Sequence, residues 1–303
     1  MARFGYTVLG FGGFTSAGGP GVWSNAGQTI NSNRYQSVVA GNSSSAIIAG
    51  GGASATANSE VWDGSTWENA DDNLSASADS GQGGGTKSDA IFIGGNRGSA
   101  TTTVEIWDDS TWETGSSTAN IFTVGASSAA SRTSAWVCGG YTGSGVGDKC
   151  ETLSGTTWTE RNDMTTGRLA MGANSSGGAS NAGAMTGKTG GGRSVKNEEY
   201  TLSGDAWSTN TDITTALDES PACFGQTSAD DVIVSHGENA TAPQGNTFEW
   251  TGGVWTTGAT AIANVRNNYG GGPTGAGITV GGHLESAGAR QDDTYIFTRA
   301  SST

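Results

Sequence analysis

Apolar residues in this chain fall in short runs that close on glycine: AIIAGG, AIFIGG, AWVCGG, MTGKTGG, VIVSHG and GITVGG, ending at residues 51, 95, 140, 191, 237 and 282. Each run is too short for a helical stripe and reads as a buried strand. Small residues precede several of them (GQGGGT, GASSAA, GANSSGGAS), and a tryptophan-flanked turn follows. The turn is plainest in EVWDGSTWE and EIWDDSTWE, where Asp-Gly suits the positive φ of a tight hairpin. Every unit therefore predicts four strands: one of small residues, the apolar run, the EVW-like segment, and a last strand carrying a marker tryptophan.

The markers are Trp23, Trp67, Trp112, Trp158, Trp207 and Trp255, with spacings of 44, 45, 46, 49 and 48 residues. Four-stranded units of this period are the blades of a β-propeller. Small inner residues fit the crowded axis, and an indole on each outer strand fills the widening wedge at the rim. The last unit ends at DDTYIFT without a fourth strand, and Trp23 lies on a fourth strand without partners. The N-terminal strand around Val22–Trp23 is expected to complete the blade of residues 262–298 and so remove the open edge. The expected fold is all-β, a six-bladed ring over 21–303. Its blades run approximately 31–69, 75–114, 120–160, 165–209, 214–257 and 262–298 plus 21–25. Residues 1–20 are a separate Gly/aromatic arm.

Composition changes this picture little. The 52 glycines stand in for side-chain bulk in a chain with 10 tryptophans, and charged residues make up only 14%. A disordered chain has the opposite balance. The net charge of −14, with no run of Lys/Arg, argues against nucleic acid or an anionic membrane as partner. No apolar run has the length of a membrane helix, and the N-terminus does not read as a secretory signal. Of three cysteines, Cys138 and Cys150 flank one predicted hairpin, where they could meet; free buried thiols are the favoured reading.

An apolar strand, Gly-Gly and then an aromatic pair before the next blade together resemble the kelch propeller. The short turn between Trp62 and Trp67 departs from the usual kelch spacing. That form, as in ATANSEVWDGSTWENADDNLSASAD and KCETLSGTTWTERNDMTTGRLAMG, resembles kelch-like repeats abundant in structural proteins of marine tailed bacteriophages. The resemblance covers residues 21–298. It implies a non-enzymatic virion component, a decoration, tail or fibre module made in the host cytoplasm and present in many copies. The implied partners are capsid, tail or fibre proteins and host surface glycans.

Three arginines are candidates for ligand binding. Arg34 and Arg266 lie 11 residues beyond their marker tryptophans and Arg168 lies 10 beyond its own. They are expected around one mouth of the channel, with Tyr35 and Tyr269 beside them, where guanidiniums suit the carboxylates or sulfates of acidic glycans. A sialidase-like glycosidase would use such a triad and is the enzymatic alternative, although DGSTW lacks one residue of the sialidase Asp-box. The competing reading makes each arginine part of the repeat, bonded to neighbouring loop carbonyls. His236 and His283, at the ends of adjacent second strands, read as structural or surface residues. The acid pairs Asp71–Asp72, Asp230–Asp231 and Asp292–Asp293 have no calcium-loop spacing, so no metal, cofactor or catalytic residue is expected. The arm carries Phe4, Tyr6, Phe11 and Phe14, which would either dock on another virion protein or pack on the ring itself. The loops between second and third strands (52–58, 96–103, 141–149, 192–197, 238–246 and 283–293) are the expected variable face.

Overall fold

The computed structural model describes residues 21–299 apart from 53, 121, 174–176, 179–180, 220, 226–230, 252 and 285–289. The arm residues Phe4, Tyr6, Phe11 and Phe14, and Asp230, lie outside the described residues.

Six antiparallel sheets follow one another along the chain. Blade 1 pairs Val38–Asn42, Ser45–Ala49, Ser59–Trp62 and Trp67–Asn69 in sequence order, and blade 2 repeats the pattern from Gln82–Thr86 to Trp112–Thr114. Blades 3, 4 and 5 span 126–161, 172–209 and 222–257. In blade 6, Val265–Arg266 and Tyr269–Gly271 pair with Ala276–Leu284, which pairs with Arg290–Thr298, which pairs with the N-terminal strand Val22–Thr29. Val22 lies opposite Thr298 and Trp23 opposite Phe297. The chain is a six-bladed β-propeller whose first strand completes its last blade.

The glycine pairs of blades 1, 2, 3 and 6 have one cause. Both members take positive φ, 63° and 83° at Gly94–Gly95. A Cβ on Gly94 would stand 2.2 Å from the Phe122 carbonyl oxygen of the next blade, so only glycine allows this approach. The second member's N–H then donates to the incoming backbone of the next blade: Gly51 to Ala78, Gly95 to Phe122, Gly140 to Arg168, Gly187 to Leu217, Gly237 to Val265 and Gly282 to Arg34, at 2.7–3.0 Å. The sixth bond, from the last blade to the first, is of the same kind as the other five.

This geometry corrects one marker. In blade 4 the pair is Thr186–Gly187, with φ of 59° and 91°. Gly190 and Gly191 instead turn a small extra hairpin, Lys188–Thr189 with Gly192–Arg193. In blade 5, His236 holds the first position at φ 64°.

The rim indoles also link blades. At three junctions one residue on the third strand of the preceding blade offers a hydroxyl. There Trp67 donates to Thr294 (2.7 Å), Trp112 to Ser59 (2.9 Å) and Trp23 to Thr247 (2.9 Å), each across to the preceding blade. At the other three the corresponding residues are Val104, Cys150 and Asn197. Trp158, Trp207 and Trp255 there donate to the carbonyls of Ser116, Asn162 and Thr211. The first three indoles are buried and the last three half-buried.

The cysteine expectation is overturned. Cys138 and Cys150 lie directly opposite on neighbouring strands of blade 3, with Cα atoms 4.2 Å apart, and form a disulfide. The regular register that begins at Ser134–Ser154 runs through to this pair and brings them face to face; the spacing alone did not reveal it. Cys223 is free and buried, and burial pushes its thiol pKa up.

Candidate functional site: the mouth of the ring

Crossovers between blades and the loops joining second to third strands emerge on one face. The three arginines meant to line its mouth do not meet there. Arg34 is 1% exposed; it pairs with Glu60 and donates to the Asn58 carbonyl at 2.8 Å. Arg168 is fully buried, 2.6 Å from Glu198, and donates to the carbonyls of Thr186, Lys196 and Ala184. Both are internal ties of their own blades. Burial pushes the Glu198 carboxyl pKa up against the opposing pull of Arg168.

The residue two before the left-handed crossover position fills one slot in each blade: Arg34, Ala78, Phe122, Arg168, Leu217 and Val265. Facing it on the third strand stand Glu60, Glu105, Glu151, Glu198, Phe248 and Tyr295. An arginine occupies the slot only where an acid faces it. Blade 2 supplies its cation from another loop, Arg97 at 2.5 Å from Glu105. Blade 3 caps Glu151 with the backbone N–H groups of Ala119 and Asn120, at 3.0 and 2.7 Å. In blades 5 and 6 both sides are apolar or aromatic. Arg266 is one residue past the slot, so Val265 is buried in its place and Arg266 turns to the face. These glutamates carry a signal that sequence reasoning missed: an acid two residues before Trp62, Trp107, Leu153 and Tyr200.

On the face, Arg266 joins a chain of charges across three blades. Arg193 of blade 4 bonds Asp218 and Glu238, both at 2.7 Å. Arg266 of blade 6 bonds Glu238 at 2.5 Å and lies 4.0 Å from Glu219, which also accepts from the Asn267 amide. Burial pushes the Asp218 carboxyl pKa up. Tyr35 stands edge-on to His283 at 4.1 Å, and Tyr269 lines the axis. The histidines have separate roles: His236 is fully buried, edge-on to Trp23 at 5.1 Å, and burial lowers its pKa to about 3. Asp231 is tied to Arg299 (2.8 Å) and Asp293 to the Tyr295 hydroxyl (3.1 Å). Among the described residues no cluster of His, Cys, Asp or Glu could hold a metal ion.

The channel narrows to a void of about 40 Å³ between the first strands. Above it, the crossover residues Gln36, Ser80, Val124, Ala170, Glu219 and Asn267 all take φ between 46° and 58°. Their backbones join head to tail: Ser80 donates to Gln36, Val124 to Ser80, Ala170 to Val124, Asn267 to Glu219 and Gln36 to Asn267, at 2.5–3.1 Å. This circlet of five bonds, which runs from Glu219 round to Ala170, narrows the mouth.

Beside it, over blades 2–4, lies a depression of about 450 Å³. Ala100, Val124 and Leu169 form its apolar walls, Ser80, Asn96 and Thr123 its polar points, and Tyr141 its rim. Tyr141 is 43% exposed.

No protein-family model matches the chain, and no curated protein sequence matches it. The chain is similar in structure to a solved protein described as "Structure of YjhT", with a TM-score of 0.72 over 88% of this chain and 95% of that one. At 11% identity the likeness is one of fold alone.

Proposed function

We propose that this propeller is a non-enzymatic binding and assembly module: a kelch-like component of a tailed-phage virion, displayed in many copies and engaging glycans at the host surface. The observation that supports it most is the disposition of charge. The two slot arginines are buried in their own blades, and Arg193 and Arg266 are held by carboxylates of the face. The convergence of Arg34, Arg168 and Arg266 that a glycosidase would need is not formed. What remains is a rigid ring with open loops, suited to contact rather than turnover. Many weak contacts sum to firm attachment when a particle displays many copies.

Quantitative mass spectrometry of purified particles tests the reading. The expected result is this chain at a fixed copy number relative to the capsid or tail protein. A chain recovered only from the lysate, at no fixed ratio to particles, would sink it. Deleting residues 2–18 tests the arm: a soluble ring that particles no longer take up supports docking, and full incorporation rules it out.

A further inference from the structure

The rim of the depression is an exposed aromatic ring held at several points. The Tyr141 N–H donates to the Thr123 carbonyl at 2.8 Å, and the Thr123 hydroxyl donates back to the Tyr141 carbonyl at 2.9 Å. The phenol donates to the Gly143 carbonyl at 3.1 Å, which fixes the ring's direction. Three residues before it, Cys138 is bonded to Cys150, so both strands of this hairpin are stapled below its tip. Opposite Tyr141 in register lies Val146, also exposed. A ring left 43% exposed gains less stability from being fixed than a buried one, whereas a ring fixed in advance spares a ligand the entropy of ordering it.

The chemistry of the walls selects the ligand. None of the residues lining the depression is charged. Asn96 lines the depression, and its backbone is pinned by two bonds with Asp79, at 2.8 and 3.1 Å. With a net charge of −14 the protein repels anions at long range. The volume falls within the usual range for small-ligand sites, roughly 300–1,000 Å³. A flat aromatic face carries partial negative charge and attracts weakly positive C–H groups. A pyranose ring presents one C–H face to such a platform and a fringe of hydroxyls to amide and hydroxyl groups.

We propose that this depression binds an uncharged pyranose of a surface polysaccharide, stacked on Tyr141 and hydrogen-bonded at Asn96. The site rests on the glycan-binding reading above but replaces the acidic ligand and the arginines first considered for it.

Saturation-transfer NMR and titration with neutral malto-, cello-, manno- and chito-oligosaccharides, with sialyllactose as the acidic comparison, test the site. At least one neutral series binds the full chain, and sialyllactose binds more weakly. Tyr141→Ala weakens binding by about tenfold or more, Asn96→Ala by several-fold, and Tyr141→Phe retains most of it. All three variants keep the wild-type melting temperature within a few degrees, because both side chains lie at the surface. Silence across the neutral panel, equal binding of sialyllactose, or indifference to Tyr141→Ala overturns the site. Particle incorporation is scored separately. A ring at full copy number on particles but silent toward the panel sinks the saccharide site alone; one that binds saccharide but is missing from particles sinks the assembly reading alone.

Discussion

The indole of Trp67 reaches across the seam between the last blade and the first to donate a hydrogen bond of 2.7 Å to the Thr294 hydroxyl. This contact joins the fourth strand of blade 1 to the third strand of blade 6, the last strand along the chain. A double-mutant cycle of Trp67→Phe and Thr294→Val, followed by urea unfolding, should give a coupling of about 1 kcal/mol. Additive effects would mean that the seam is held by packing and backbone alone.

Arg168 and Glu198 are both fully buried. Glu198→Ala leaves a guanidinium uncompensated in the core and should cost about 3–5 kcal/mol. Arg34→Ala should likewise lower the melting temperature, through its partner Glu60. In both variants that still fold, saccharide affinity should match wild type, because neither arginine reaches the face.

Thr186 is a β-branched residue at φ 59°, in the slot that blades 1, 2, 3 and 6 give to glycine, and its buried hydroxyl finds no partner among the described residues. Thr186→Gly should therefore stabilise the ring by about 1 kcal/mol, the relief of the left-handed strain outweighing glycine's extra chain entropy. Thermal unfolding checks the sign.

His236 is neutral in the folded ring because burial lowers its pKa to about 3 from 6.5. The unfolded chain takes up this proton below about pH 6.5 and the folded chain does not. Stability from this residue is complete above the unfolded value and declines as pH falls towards 3. His236→Gly, which the backbone there accommodates, should flatten the change in unfolding free energy between pH 6.5 and 4. An unchanged slope would place the acid sensitivity elsewhere.

Reduction of the Cys138–Cys150 bond, or Cys138→Ser with Cys150→Ser, should cost about 3 kcal/mol by the loop-entropy argument. The loss should also weaken saccharide binding several-fold through a looser Tyr141, with the ring still closed by its other blades.

Much of the architecture could be read from residues that repeat by type. Six marker tryptophans and the split last blade give the number of blades and the pairing of the strand around Val22–Trp23 with the last strand, whose register the structure then supplies. Marker reading failed where backbone geometry, rather than residue type, repeats. The pair at Thr186–Gly187 hides behind a neighbouring hairpin that has its own three glycines, Gly190 to Gly192. The circlet positions are Gln, Ser, Val, Ala, Glu and Asn, which share a φ but no chemistry. Arg266 differs from Arg34 by a one-residue offset, and at a strand end that reverses the side chain's face. Tyr141 has no counterpart in other blades, so no periodicity points to it.

In the six bonds that run from the second residue of each left-handed pair into the following blade, the one spanning the chain ends resembles its fellows. The closing junction is then mechanically equivalent to the other five. A circular permutant opened between blades 3 and 4, with residues 21 and 299 tethered by a short linker, should assemble into the same annulus.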